Sequence, residues 1–307
     1  MNIRRATHDD YEAVVEMTSD IWAHRGGDYL PDIYHDWLED EDDPETKTFL
    51  ATIDGDAAGI VQARLLSPEE AWFQSLRVDP DYRRRGVARR LTEACFEWAR
   101  DRDARVGRAI IFSWNVASLS MARAIGFEPV TEFRFAFSEP DRDASGPGEH
   151  AVSSDPTAAW RYWIRSDACE HLRGLGLAPE ESWAMREITS ADFDRFADES
   201  AVLVVEDPNG TVGTAYRSRT FDRRTDRGEE ETVAEYGVGA WDDVDAARSL
   251  FAAMARDAAT LEADRMRIAI PETARFVSDA AAAGAELDEE PDFVLGIDLT
   301  ERSPMDR

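Results

Sequence analysis

An apolar strand pattern, an arginine-rich turn and a helix follow one another in the segment Leu76-Arg77-Val78-Asp79-Pro80-Asp81-Tyr82-Arg83-Arg84-Arg85-Gly86-Val87-Ala88-Arg89-Arg90-Leu91. The residues before Asp79-Pro80 predict the end of a strand, and the apolar residues after Gly86 recur at helical spacing. Gly86 and Ala88 stand at the start of the helix, where neither has a bulky side chain to keep a ligand from the backbone. Free amide hydrogens and the positive end of a helix dipole attract anions, so we predict an anion-binding turn.

The arginines of this turn contrast with the charge of the whole chain. Its 307 residues include 64 Asp and Glu against 35 Lys and Arg, a net charge of −29, and Lys47 is the single lysine. Five arginines lie within residues 83–90 and make the turn locally positive. The overall charge excludes nucleic acids and anionic membranes as expected partners, because both need a basic surface. Abundant carboxylates with almost no lysine are typical of a halophilic protein, whose self-repulsion is screened by molar salt.

Cysteine usage and the N-terminus predict a cytoplasmic protein. Cys95 and Cys169 are far apart and have no partner at metal-ligand spacing, so we expect reduced thiols and no metal site. His24 and His35 also lack a metal-ligand partner at helical spacing. Residues 1–10 contain no apolar signal-peptide stretch, and no apolar run is long enough to span a membrane.

Similar orders of helices and strands are predicted in two halves of the chain. The first half is predicted to contain helices at about 11–22, 31–38 and 87–102, a short helix that ends at Ile125, and strands at 48–53, 58–65, 71–78, 108–113 and 133–137. Asp54-Gly55-Asp56 predicts a hairpin between the first two of these strands. The second is predicted to contain strands near 182–188, 232–238, 266–270 and 293–299, a hairpin at Asn209-Gly210, and helices from Ser190, at 244–261 and at 273–283. Residues 138–158 are rich in Pro, Gly and polar residues and are predicted to link α+β domains at 1–137 and 159–307.

Two motifs of the first half resemble those of the GCN5-related N-acetyltransferases (GNAT). Arg83, Gly86 and Ala88 occupy the diagnostic positions of the pyrophosphate motif Arg/Gln-x-x-Gly-x-Gly/Ala. The stretches 115–118 (Asn-Val-Ala-Ser) and 125–127 (Ile-Gly-Phe) are similar to the Asn-x-x-Ser/Ala and Leu-Gly-Phe elements of the family. The resemblance implies two GNAT-like domains, each with a mixed, mostly antiparallel sheet flanked by helices. In the second domain the matching turn, 237–245, carries carboxylates in place of arginines, so we expect that domain to be degenerate.

The resemblance implies acetyl-CoA as the donor and assigns its contacts. The backbone of Leu76, Arg77 and Val78 is expected to hold the pantetheine arm like an added strand, with the Val78 amide stabilising the oxyanion. Pyrophosphate contacts are expected from Arg83, Arg84, Arg85, Gly86, Val87, Ala88 and Arg89, and pantetheine contacts from Asn115 and Ser118. Ala122 stands where many members have a Tyr that protonates the leaving thiolate, which leaves Ser118 or Ser120 as candidate acids. Gln74 stands on the strand that often carries a Glu base, and Glu69 and Glu70 are expected to be polar loop residues.

Residues 26–38 are similar to a segment of histidine N-acetyltransferase relatives, Asp-Tyr-Leu-Pro…Tyr-His-x-Trp-Leu. The similarity implies a small amino compound as acceptor. The side chains expected to contact it are Tyr29, Tyr34, His35, Trp37 and Gln74. In an alternative interpretation, Trp37 and Leu38 belong to an amphipathic helix that packs on the sheet.

The sequence thus predicts an acetyl-CoA-dependent N-acetyltransferase that acts on a small primary amine by direct attack in a ternary complex, as a monomer or homodimer. One alternative is acetylation of a protein or peptide amine. Another is a non-catalytic acetyl-CoA sensor or assembly module, because the family's acid is missing and the base is unassigned.

Overall fold

The computed structural model describes residues 1–22, 27–39, 43–148, 150–224 and 229–301, with the side chain of residue 224 left out. The chain forms two compact units. Unit 1 comprises Met1–Ala109, Ser120–Glu128 and the C-terminal residues from Leu295 onward, and unit 2 comprises Ile110–Leu119 and Pro129–Val294. Within the described residues, no helix combines the length and apolar composition needed to cross a bilayer.

Unit 1 is built on an antiparallel sheet of consecutive strands. Its elements are β1 (Asn2–Arg5), α1 (Tyr11–Thr18), α2 (Leu30–Ile33), β2 (Thr46–Ile53), β3 (Asp56–Ser67), β4 (Glu70–Val78), α3 (Val87–Arg100), the first part of β5 (Val106–Phe112) and the second part of α4 (Val116–Ile125). Neighbouring strands from β1 to β4 are antiparallel, whereas β5 runs parallel to β4. Asp54 and Gly55 both have positive φ, 55° and 104°, which confirms the predicted tight hairpin between β2 and β3.

The two faces of this sheet carry different helices. On one face, α1 and α2 pack on the sheet through a core that includes Val14, Leu30, Leu50 and Ile60. On the other face α3 lies so close that a Cβ at Gly59 would be 2.8 Å from a methyl carbon of Val87. The close approach of α3 therefore requires a glycine in β3 at this point.

Unit 2 has a mixed sheet in the order β6-β14-β12-β11-β10-β7, in which β12 and β14 are parallel. Its elements are β6 (Glu128–Ser138), β7 (Ala151–Ser153), α5 (Pro156–Trp163), α6 (Asp167–Leu172), β8 (Leu175–Leu177), β9 (Met185–Glu187), α7 (Ser190–Glu199), β10 (Ala201–Asp207), β11 (Gly210–Arg224), β12 (Glu230–Tyr236), β13 (Ala240–Trp241), α8 (Val244–Thr260), β14 (Arg265–Pro271), α9 (Ala274–Ala282), β15 (Glu286–Leu287) and the start of β16 (Asp292–Asp298). The hairpin predicted at Asn209-Gly210 is confirmed by the pairing of Asp207 with Gly210.

A repeated backbone pattern relates the two units. In unit 1, Gly59 pairs with Val78, and the Asp79 amide donates to the Ala58 carbonyl at 3.2 Å. In unit 2, Gly213 pairs with Trp241, and the amide of Asp242 donates to the carbonyl of Val212 at 2.9 Å. Trp241 and Asp242 thus correspond to Val78 and Asp79, which confirms the predicted pair of similar α+β folds.

The compact units differ from the domain boundaries that we predicted. Strand β6, expected to close the first domain, pairs with β14 of unit 2 from Phe133 to Ser138, whereas the C-terminal residues from Leu295 count with unit 1. Within unit 1, the Leu299 amide donates to the Arg105 carbonyl at 2.8 Å. Such pairings join residues far apart in sequence, so local composition does not reveal them.

The predicted linker, 138–158, is instead part of the structure of unit 2. It contains β7, which pairs with β10, and the start of α5. A Cβ at Gly146 would lie 2.6 Å from the Cα of Ser249 in α8, and the His150 Nδ1 lies 2.7 Å from the Ser249 hydroxyl. The glycine here permits close packing on α8 rather than marking a flexible tether.

Candidate functional site

Strand β4 has an open edge in its second half. It pairs with β5 only from Glu70 to Trp72, opposite Val106–Arg108. Within the described parts of the chain, residues 73–78 make no pairing with β5. The backbone groups of this open edge, residues 73–78 on the side away from β3, are therefore not used by β5.

A β-bulge interrupts β4 beside this open edge. Ile60 pairs with Arg77 and Gln62 with Gln74, so Ser75 and Leu76 together lie opposite a single residue of β3. Ser75 has a φ of 54°, a left-handed conformation that costs a non-glycine residue about 1–2 kcal/mol. Its hydroxyl oxygen lies 2.5 Å from the hydroxyl oxygen of Tyr29. The bulge changes the direction of the strand just before Val78.

The amide of Val78 points into the open edge. Between two antiparallel strands, hydrogen-bonded residue pairs alternate with non-hydrogen-bonded pairs. The residues of a non-hydrogen-bonded pair direct their N–H groups away from the partner strand. Because the Asp79 amide donates to Ala58, Gly59 and Val78 form such a pair. The Val78 N–H is thus directed away from β3, as the predicted oxyanion contact requires.

The arginine turn, residues 83–88, follows directly. Arg84 and Gly86 both have left-handed backbone conformations, with φ of 62° and 80°, and a Cβ at Gly86 would have no neighbour within 4 Å. No side chain caps the start of α3 at Gly86. The Nε of Arg83 donates to the Val78 carbonyl at 3.5 Å. Among the described residues, no carboxylate lies within 4 Å of the guanidinium groups of residues 83–85, and this turn therefore has the positive charge and free amides of an anion site.

Arg89 and Val87 differ from the other predicted pyrophosphate contacts. Arg89 pairs with Glu93 at 2.9 Å, one turn along α3, and Val87 is buried against β3. Only the backbone of Val87 can face a ligand, and the charge of Arg89 is already balanced.

The corresponding turn of unit 2 is built differently. The carboxylate of Asp243 caps α8 and accepts from the amides of Asp245 and Ala246 at 3.0 and 2.9 Å. These are the helix-start amides that a pyrophosphate needs, so the turn before α8 lacks the free amides found before α3.

A buried ion pair fixes the segment that carries Tyr29. The Nε of Arg77 donates to Asp28 Oδ2 at 2.6 Å, and the two side chains are 7% and 1% exposed. The guanidinium also lies over the rings of Trp22 and Tyr29, 4.1 and 5.4 Å from their centroids. Burial disfavours this charge most strongly, but the hydrogen bonds to and charges of Asp28 and Tyr29 together outweigh it and raise the pKa of Arg77. The side chain of Arg77 is thus structural, and only its backbone is available to a donor.

Tyr29 and Gln74 lie at the start of a polar row on the face of the sheet that carries α1 and α2. Tyr29 is 43% exposed and contacts Ser75 at the bulge. Gln74 donates to Gln62 at 2.7 Å, and Gln62 donates to Thr48 at 3.1 Å. Two of the predicted acceptor contacts, Tyr29 and Gln74, therefore lie at the bulged part of β4.

The structure corrects the expectation for Tyr34 and places Trp37 and His35 elsewhere. Tyr34 is fully buried, its hydroxyl donates to the Thr7 carbonyl at 2.7 Å, and burial raises its pKa. Trp37 packs against the core below α1 and α2, as in the alternative interpretation. His35 is exposed and stacks on His8, with the two Nδ1 atoms 2.9 Å apart. His24 lies outside the described residues.

The predicted contacts after β5 are divided between the units. Asn115 and Ser118 belong to unit 2, where the Asn115 Oδ1 accepts from the Ser118 amide at 3.1 Å and caps α4. Ser120 is exposed in unit 1, and Ala122 is buried.

Glu70, at the far end of β4, forms a buried ion pair with Arg108, which makes it unsuitable as a base near Val78.

Two residues of the site were missed by sequence reasoning. Asp28 lies within the predicted acceptor segment, residues 26–38, but was assigned no role, because its burial against Arg77 depends on the packed fold. Ser75 carries no local signal for a left-handed conformation, because glycine and asparagine are the residues that usually indicate one.

The chain is similar to several known proteins. Residues 11–127 match the profile described as Acetyltransferase (GNAT) family. Histidine N-acetyltransferases from Xenopus tropicalis and Oreochromis niloticus are each 32% identical to the chain over 98 residues, which are 32% of this chain and 29% and 28% of those proteins. The chain thus matches less than a third of the length of these curated relatives.

Solved structures are similar along almost the whole chain. A GCN5-related N-acetyltransferase from Sphaerobacter thermophilus has a TM-score of 0.61 at 14% identity, covering 97% of this chain and 95% of that one. A tandem GNAT protein from the clavulanic acid biosynthesis pathway has a TM-score of 0.54 at 14% identity, covering 98% and 99%. At this identity the likeness establishes the two-domain fold.

Proposed function

We propose that this chain is an acetyltransferase that transfers the acetyl group of acetyl-CoA to the primary amine of a small amino compound, because residues 11–127 match the GNAT acetyltransferase family and the whole chain has the fold of a tandem GNAT protein. The observation that carries the proposal is the open edge of β4, where the Val78 amide points outward beside an uncapped, arginine-rich helix start.

The residues of the open edge and the arginine turn fit the donor. When bound, acetyl-CoA supplies an acetyl group already activated as a thioester. The backbone of Leu76 to Val78 would hold the pantetheine arm, and residues 83–88 the pyrophosphate, through free amides and the unpaired guanidinium groups of Arg83 to Arg85. The Val78 N–H would stabilise the negative charge that develops on the thioester carbonyl oxygen. Oxyanion donors of this kind contribute about 10²–10³-fold in rate.

The acceptor side is proposed at Tyr29 and Gln74. Both lie at the bulge, on the face of the sheet that carries α1 and α2, while Arg77 and Asp28 hold the Tyr29 segment in place. The similarity to histidine N-acetyltransferases makes histidine and related α-amino acids the first acceptors to test. Ala122 provides no proton to the leaving sulfur, so Ser118 and Ser120 stay the candidate acids; a thiol with a pKa of about 8.5 also leaves readily without one.

The experiment is an acceptor panel with the purified full chain. Release of free CoA thiol and the mass of the acetylated product are measured with histidine, other amino acids, polyamines and short peptides. We expect turnover with a free α-amino compound. Turnover confined to peptides would support the protein-acetylating alternative, and tight acetyl-CoA binding without turnover on any amine would support a non-catalytic sensor.

A further inference from the structure

Unit 2 contains a cavity of about 490 Å³ at the strand end that corresponds to Val78–Asp79 of unit 1. Trp241 and Asp242 form one wall, and α9 contributes Arg275. The opposite wall comes from the end of α5 and the start of α6, with Arg161 and Arg165 among its residues. This volume is within the range of small-ligand sites, about 300–1,000 Å³.

The two carboxylates of the cavity already have partners. Asp167 accepts from the Arg275 Nη1 at 2.5 Å, and Arg275 also donates to the Trp241 carbonyl. Asp242 accepts from the Tyr162 hydroxyl at 2.8 Å, and burial, reinforced by this bond, raises the pKa of Tyr162. Tyr162 therefore stays a neutral hydrogen-bond donor at physiological pH.

Arg161 and Arg165 have no such partner. Both are exposed, and in the described parts of the chain no carboxylate lies within 4 Å of either guanidinium. They lie one helical turn apart at the end of α5, where the Arg165 amide still donates to the Tyr162 carbonyl. Like charges at this spacing repel by about 0.2–0.5 kcal/mol. An anion bound between the two guanidinium groups would attract both and offset this repulsion.

Their lack of partners is unusual in this chain. Asp and Glu outnumber Lys and Arg by 64 to 35, and most described arginines pair with a carboxylate or a carbonyl. In the described chain, arginines close together in sequence lack both a carboxylate and a carbonyl partner at residues 84 and 85, in the turn proposed to bind pyrophosphate, and at residues 161 and 165. A net charge of −29 also opposes diffuse adsorption of anions, so binding needs a local site of this kind.

We propose that this cavity binds a small oxyanion of charge −2 or more, a phosphate or a polycarboxylate, between the guanidinium groups of Arg161 and Arg165. Planar guanidinium groups hold such oxygens through paired hydrogen bonds. The nearby hydroxyl of Thr211 adds a neutral donor. The capped start of α8 makes the site distinct from a CoA site, and the proposal does not depend on acetyl transfer in unit 1.

The test is calorimetric titration of the full chain with inorganic phosphate and, separately, with citrate, at constant potassium chloride concentration. The double variant R161Q/R165Q removes two charges from the cavity. R142Q/R173Q is the matched control, because Arg142 and Arg173 are also exposed and lack a carboxylate partner within the described residues, but lie outside the cavity. A third variant, R84Q/R85Q, removes charge from the arginine turn.

We expect one saturable site per chain for at least one probe, weakened at least tenfold in R161Q/R165Q and retained in the other two variants. The probe that binds more tightly identifies the ligand as phosphate-bearing or polycarboxylate. Absence of saturable binding of both probes, equal loss in R142Q/R173Q, or loss confined to R84Q/R85Q would each overturn the proposal. If R161Q/R165Q changes only the unfolding midpoint, the two arginines stabilise the end of α5 and bind nothing.

Discussion

Replacing Gly86 by Asp tests the proposed donor site most directly. Gly86 is exposed, has a φ of 80° and would place a Cβ in open space, so the new side chain meets no protein atom. Its carboxylate would instead stand among the free amides before α3, where the pyrophosphate is proposed to bind. At about 4 Å, two like charges repel by about 1 kcal/mol in bulk water and about 4 kcal/mol near a protein surface. We therefore expect acetyl-CoA affinity to fall by about 5- to 700-fold, since each 1.4 kcal/mol is tenfold.

Gly55 provides the matched control. It has a φ of 104° in the β2–β3 hairpin, and a Cβ there also meets nothing within 4 Å. Gly55→Asp thus imposes the same charge change and the same left-handed strain, about 1–2 kcal/mol of stability in both variants. Calorimetric titration with acetyl-CoA measures the affinities, and urea unfolding measures the stabilities.

The expected pattern is loss of affinity in Gly86→Asp alone, with similar loss of stability in the two variants. Unchanged affinity in Gly86→Asp would refute the assignment of the pyrophosphate to this turn. Equal loss of affinity in Gly55→Asp would show that the effect is general charge or unfolding. Gly86→Ala separates the contributions, because it keeps the strain and the Cβ but adds no carboxylate.

Three further results are expected. Tyr29→Phe removes the hydroxyl that contacts Ser75, so kcat/KM for the amine should fall while acetyl-CoA affinity and stability stay the same; an unchanged kcat/KM would remove Tyr29 from the acceptor site. Burial, together with Asp288, raises the pKa of Asp292 to about 7, against the opposing effect of Arg267, so the folded state binds more protons than the unfolded state between about pH 4 and 7. The free energy of unfolding should therefore fall by at most about 4 kcal/mol as pH rises through this window. Urea unfolding of Asp292→Asn should not show this fall. Parallel pH profiles for the wild type and the variant would contradict the argument. Unfolding midpoints should rise steeply from low to molar potassium chloride, because the Debye length shrinks from about 10 Å at 0.1 M to about 3 Å at 1 M, and a flat response would exclude a halophilic surface.

The features that the sequence predicted well are local ones. Hydrophobic periodicity placed most strands and helices within a few residues of their observed ends, and Asp54-Gly55 and Asn209-Gly210 marked their hairpins. The run from Val78 to Ala88 marked the turn before α3, whose helix start has no side-chain cap. Turn chemistry and helix starts depend on neighbouring residues, so a sequence pattern can report them.

Long-range contacts were the features that the sequence did not predict. Nothing in residues 138–158 showed that Gly146 packs on Ser249, and helices α5 and α6 in residues 156–172 were not predicted. Tyr34 is an aromatic residue of the kind that often lines pockets, yet it is buried in the core and its hydroxyl donates to the Thr7 carbonyl. In each case the environment of the side chain is set by residues distant in sequence.

The arginine-rich turn before α3, the acidic turn before α8 and the acidic composition could all be read from the residues alone, because each depends on the charges and conformations of adjacent residues. The open edge of β4, the direction of the Val78 amide and the ion pair between Asp28 and Arg77 were decided only by the tertiary structure. Strand register and burial arise from pairings across tens of residues, and these pairings place a free amide and a tyrosine hydroxyl at the same bulge.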